Sequence, residues 1–231
     1  MSSLPSGAPS GLPSALPRRG LNARQAETVE KLLDAASALL EESAYDDLTV
    51  RLVAGRAGVS PATAYTYFSS KDHVFASLFW RYVAGAELPE LTGDPARRVQ
   101  QTVRHLADHI AGSPALAAAA TKSLLGGDPD VEQLRLTIGR HWYELFDAAL
   151  GGDADPVLLR TLTFVFSGAL LEAGMGILGY DELRKEQAEK RRRLEAAAAK
   201  GNTYAQEQLR LMKEHEQPGQ APTAEQDAQY Q

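Results

Sequence analysis

The run Gly58, Val59, Ser60, Pro61 constrains this chain more than any other stretch. Glycine is the residue that most readily leaves a helix through a left-handed backbone turn, serine caps the orphan amides of a new helix, and proline fits its first position. One helix must therefore stop, and another start, within a few residues. The preceding helix opens at Thr49, whose side chain can cap residues 50–57. Two short helices joined this tightly have the punctuation of a helix-turn-helix, whose second helix enters the major groove of DNA. Val53, Ala54, Ala57, Val59 and Ala64 are small and apolar and allow a close crossing, while Thr63, Tyr65, Thr66 and Tyr67 remain to face outward or cap.

The rest of the chain reads as all-α. Val29, Leu32, Leu33, Ala36, Leu39 and Leu40 recur at three- and four-residue steps and predict a first helix over 23–43. A polar break at 44–48 follows, then the two motif helices over 50–57 and 61–68. Ser70, Lys71 and Asp72 open a fourth helix with Val74, Phe75, Leu78, Phe79 and Tyr82 on its apolar side, and residues 88–95 break the pattern. Gly, Pro and Asp clusters separate further helices at about 95–111, 114–125, 130–150 and 156–179. The expected organisation is a flexible arm over 1–20, rich in proline and ending in Arg18 and Arg19, an N-terminal three-helix DNA-binding domain over 21–85, and a helical bundle over 86–180. Beyond it, residues 181–231 form a charged helical extension with the run Lys190 to Arg193, then a Gln- and Pro-rich disordered tail.

A hydrophobic content of 44% over 231 residues supports a real core, and a net charge of −6 argues against non-specific coating of nucleic acid while leaving a small basic face open. With no cysteine, disulfides, thiolate metal sites and cysteine nucleophiles drop out. No basic segment followed by an apolar run marks the N-terminus, so a cytoplasmic protein is expected. The most apolar stretch, 157–179, carries Arg160 and Glu172 and is expected to be a buried bundle helix rather than a membrane span.

The stretch LTVRLVAGRAGVSPATAYTYFSSKDHVF, and above all GVSPATAYTYFSSK within it, strongly resembles the N-terminal motif of the TetR family of bacterial regulators. That resemblance implies a homodimer whose C-terminal helical domain binds a small molecule and thereby lowers affinity for a palindromic double-stranded DNA operator. By position it points to Thr49 and Arg51 on the second helix, to Pro61, Ala62, Thr63, Tyr65 and Tyr67 on the recognition helix, and to Lys71 after it. Arg51 can donate two bonds to guanine or hold a phosphate, Thr63 can touch a thymine methyl, and the tyrosine hydroxyls and Lys71 suit phosphate oxygens. Phe68 belongs to the core beneath. The resemblance also places a dimer interface on the last two helices of the body. Residues 156–179 fit the first of these, but 181–199 are far more charged than such a helix usually is, and the run of alanines after Glu195 reads as a rigid spacer.

If the resemblance holds, a small apolar effector is expected among the helices between Arg97 and Gly179. Its candidate contacts are Thr102, His105, His109, Trp142, Tyr143, Phe146, Phe164, Phe166 and Met175. His105 and His109 share a helix face, but no third ligand stands at metal spacing, so no metal or other cofactor is expected. No nucleophile elbow, phosphate loop or paired-carboxylate signature is present, and the chain does not read as an enzyme. The alternative reading is a helical ligand-binding or scaffold protein whose charged C-terminal arm recruits a protein partner.

Overall fold

Asn22 starts the first helix: its side-chain oxygen accepts from the Gln25 amide at 3.0 Å while the Gln25 side chain accepts from the Asn22 amide at 2.9 Å, a reciprocal capping box. The structure is a computed structural model, and it describes residues 22–176, 192–193, 195–206 and 210. Every regular element among these residues is helical. Helix α1 (Ala23–Glu42) buries Val29, Leu32, Leu33, Ala36 and Leu40 on one face, and a single 3-10 turn, Tyr45–Asp47, occupies the expected polar break. Next come α2 (Val50–Arg56), α3 (Pro61–Tyr67) and α4 (Lys71–Ala84).

Helix α4 is the axle of the body. Eight consecutive residues from His73 to Trp80 are buried, which a helix achieves only when packed on all sides. It lies against α1 on one flank and against α6 (Pro114–Leu124) and α7 (Pro129–Leu150) on the other, so the motif helices and the later helices share one compact unit with no break at residue 85. Helices α5 (Pro95–Ala111) and α8 (Pro156–Gly174) complete it, packing chiefly on α7. Proline opens each of these four helices, and Asp94, Asp128 and Asp155 cap α5, α7 and α8 through their carboxylates.

Helix α8 departs from expectation. It is 19 residues long with a mean hydropathy of 1.4, long and apolar enough to cross a membrane by length and composition alone. The expected burial is absent: Leu159 and Phe166 are buried, while Val157, Phe164 and Val165 are 60, 73 and 67% exposed. An apolar face this open on a single chain is characteristic of an interaction surface. Its other end makes a close approach, because a Cβ on Gly174 would lie 1.8 Å from the Thr121 hydroxyl of α6. The arm 1–20, residues 177–191 and the tail beyond 210 lie outside the described residues. In the charged extension residues 195–199 and 203–206 are helical, with Asn202 capping the second of these segments.

Candidate nucleic-acid interface

Helix α2 ends as the sequence anticipates. Gly58 adopts φ +67°, its amide donates to the Gly55 carbonyl at 3.2 Å, and the Val59 amide reaches back to Ala54 at 2.9 Å. These two bonds close a Schellman motif, in which glycine supplies the left-handed residue. Ser60 then caps α3, its oxygen accepting from the Thr63 amide at 3.1 Å with Pro61 in the first helical position. Thr49 does the same for α2, accepting from Leu52 at 3.2 Å.

This punctuation fixes which side chains face out. In α3 Ala64 is buried, Phe68 just past its end is fully enclosed, and Tyr67 is half-buried. Pro61, Ala62, Thr63, Tyr65 and Thr66 form one open face. In α2 Val50, Val53 and Ala54 point inward, and Thr49 at its cap, Arg51 and Leu52 are exposed. The candidates of the two helices are therefore exposed over a packed interior, except that Tyr67 is partly withdrawn into it. Thr66, which the sequence marks only as outward-facing, and the half-exposed Leu52, which no sequence signal marks, are exposed beside these candidates.

Lys71, a candidate phosphate contact, is also bonded within the chain. Its ammonium donates to the Tyr45 carbonyl at 3.1 Å and the Asp46 carbonyl at 3.4 Å, and lies 4.2 Å from the centre of the Tyr45 ring. These contacts seat the 3-10 turn on the start of α4. The Tyr45 hydroxyl donates to Asp72 and lies 2.9 Å from the Ser123 hydroxyl of α6. Burial, reinforced by the Asp72 carboxylate, pushes the Tyr45 phenol well above its ordinary value, so it stays a neutral donor.

A second tie joins the far end of α3 to α7. One carboxylate oxygen of Asp128 accepts from the Asp130 amide at 2.8 Å and caps α7, while the other accepts from the Ser69 and Ser70 hydroxyls in the α3–α4 turn. Burial acts to raise the Asp128 pKa, but the bonds from Ser70, the Asp130 amide and Ser69 outweigh it and hold the carboxyl below the ordinary aspartate value. Buried His73 accepts from the Ser69 amide at 3.2 Å and faces Asp130 at 3.8 Å. The rear of the motif is thus bonded to the start of α7, through partners too distant in sequence for local patterns to reveal.

The effector candidates divide into three groups. Trp142, Phe146 and Phe166 meet edge to face, with Phe166 5.2 Å from Trp142 and 5.7 Å from Phe146, and all are buried, as is Thr102, whose hydroxyl donates to the Arg98 carbonyl. His105 and Tyr143 are half-buried on α5 and α7. The other three are not gathered with the aromatic trio: His109 stacks on Tyr82 at 4.1 Å and donates through Nε2 to the Tyr82 carbonyl, while Phe164 and Met175 are exposed. Among the described residues no group of three His, Asp or Glu side chains is placed to hold a metal ion.

Comparison with known proteins agrees with this geometry. Residues 32–78 match the model of bacterial regulatory proteins of the tetR family, a span from the core of α1 to the middle of α4. An uncharacterised HTH-type transcriptional regulator of Mycobacterium tuberculosis is 44% identical over 165 residues, covering 70% of this chain and 78% of that protein. The HTH-type transcriptional repressor KstR of Mycolicibacterium smegmatis is 29% identical over 137 residues, or 57% of this chain and 67% of its own length. Among solved structures, a TetR transcriptional regulator from Rhodococcus sp. RHA1 superposes with a TM-score of 0.57 at 22% identity, covering 71% of this chain and 93% of that one.

Proposed function

We propose, since this chain belongs to the TetR family of bacterial regulatory proteins, that it represses transcription in the cytoplasm by binding a palindromic operator as a homodimer and releases it when a small apolar effector enters the helical body. The observation that carries the reading is the open face of α3, held rigidly outward by the Ser60 cap and the buried Ala64 and Phe68. Such a helix fits the major groove, with Ala62 and Thr63 able to meet thymine methyls and the Tyr65 hydroxyl able to meet phosphate. Arg51 supplies the guanidinium beside it. The likeness to a protein named a repressor supports repression rather than activation.

Effector response follows from the ties behind the motif. An apolar ligand wedged among Thr102, Trp142, Phe146 and Phe166 would move α7 relative to α5 and α8, and α7 begins at the carboxylate that holds the α3–α4 turn. A shift there alters the presentation of α3, so ligand and operator oppose each other through one coupling free energy.

Selection from random double-stranded DNA tests the reading. Enrichment of a palindrome whose half-site centres lie about 34 Å apart, or a multiple of that, is expected of a twofold dimer. Enrichment of no sequence would overturn it.

A further inference from the structure

A buried tryptophan normally gives its indole N–H to an acceptor, because the nitrogen loses its water on burial. Trp142 breaks that pattern. It is 2% exposed, lies edge to face with Phe166 and beside His141, and its N–H has no hydrogen-bond partner among the described residues. Nor is the nitrogen sealed off. Ser77 Oγ is the one wholly enclosed side-chain polar atom without a partner among these residues, so the Trp142 N–H still borders space that a second molecule can reach. Helix pairing brings another ring to the same level. Arg98 Nε donates to the Ala149 carbonyl at 2.6 Å, which sets the start of α5 beside the end of α7. The far end agrees, since His109 of α5 and His141 of α7 both meet the end of α4, at Tyr82 and Val83. Counting seven residues inward along each helix, nearly two turns, brings His105 and Trp142 level on facing sides. His105 is half-buried and makes no hydrogen bond or ion pair with a described residue.

We infer that the effector is a neutral apolar molecule carrying a carbonyl group, and that Trp142 determines this specificity by donating its indole N–H to the carbonyl oxygen while Phe146 and Phe166 hold the apolar part. This rests on effector binding in the helical body as proposed above, and adds the chemical class of the effector and the residue that reads it. An indole N–H donates and never accepts, so a pure hydrocarbon leaves it unsatisfied. Of the two rings, Trp142 has the greater need of a partner, because half-buried His105 keeps its access to water. Thr102, the one buried polar residue on α5, α7 or α8 among the described residues, already donates to the Arg98 carbonyl, and the Arg98 guanidinium donates to the Ala149 and Gly93 carbonyls. No buried charge among the described residues thus stands beside the aromatic trio to balance a carboxylate or an ammonium, and an unpaired buried charge costs far more than a neutral carbonyl.

Binding of a graded series of alkyl phenyl ketones to the full chain, beside alkylbenzenes of the same length and the matching alkylbenzoates, tests this, with affinity read from the rise in the thermal unfolding midpoint. Trp142→Phe keeps an aromatic ring and removes the donor. In that variant the ratio of ketone to alkylbenzene affinity should fall about tenfold, while alkylbenzene affinity, the check that packing survives, stays within about twofold of the wild type. His105→Leu should leave the ratio unchanged, and the alkylbenzoates should bind far more weakly than the ketones. A ratio unmoved in Trp142→Phe would overturn the inference, and a ratio lowered in His105→Leu instead would move the donor to that ring. Alkylbenzoates that bind as tightly as the ketones would overturn the neutral class. Each of these results leaves an apolar effector in the helical body standing. Binding by none of the three series would overturn that reading as well.

Discussion

Tyr65 and Arg51 are exposed on two helices whose inner faces are buried, which makes their removal informative about contact rather than about folding. Tyr65→Ala and Arg51→Ala should each lower operator affinity by about 1–3 kcal/mol where the side chain reads a base. A phosphate contact would instead weaken binding to all sequences alike and flatten the salt dependence. Titration of operator and scrambled DNA separates the two cases. Ser60→Ala belongs to a different class: losing the cap should reduce stability by about 1 kcal/mol, visible in thermal unfolding. Asp128 adds a pH signature. Its carboxyl is held below the ordinary aspartate value, 3.8, so its stabilising bonds are fully present above that value and are lost as pH falls through the lowered one. In Asp128→Asn this loss disappears, and the acid limb of a plot of unfolding free energy against pH should be shallower than in the wild type. An unchanged limb would mean that other carboxylates dominate acid unfolding.

At the scale of elements, Gly174 brings the α8 backbone close to the Thr121 side chain of α6. Gly174→Val must push Thr121 aside or separate the helices, and a destabilisation of about 1–3 kcal/mol by chemical denaturation is expected. This contact also shows what sequence patterns reach. The starts of α2 to α5, α7 and α8 were legible because their signals are local: a capping Ser, Thr or Asp, a proline at the first position in most, and the left-handed Gly58. The outward residues of α2 and α3 were largely legible for the same reason, since burial of Val53 and Ala64 fixes the rest by periodicity. What local pattern does not carry is the partner of a long side chain. Lys71 reads as a surface cation, yet its acceptors lie 25 and 26 residues earlier; His109 reads as a pocket residue, yet its partner Tyr82 lies 27 residues away. Helix α8 failed differently: an apolar helix announces that it is covered, but not whether its own chain does the covering.

Helices α4 and α7 join the motif face to α8, whose apolar residues Val157, Phe164 and Val165 are exposed among the described residues. The proposed homodimer would present two α3 helices, and a palindrome is the DNA that matches such a twofold pair. The face is small and the chain carries a net charge of −6, so phosphate attraction must be concentrated at the motif. Specific binding and steep salt dependence are accordingly expected together. Fluorescence anisotropy of the full chain with DNA from upstream of its own gene and with the best sequence from random selection, each beside scrambled DNA at several salt concentrations, tests the claim that the α2–α3 face grips an operator. The account predicts preference for the selected sequence, affinity falling steeply with salt, and weaker binding of that sequence in Tyr65→Ala and Arg51→Ala. Equal, weak binding to every DNA, unchanged in both variants, would contradict it.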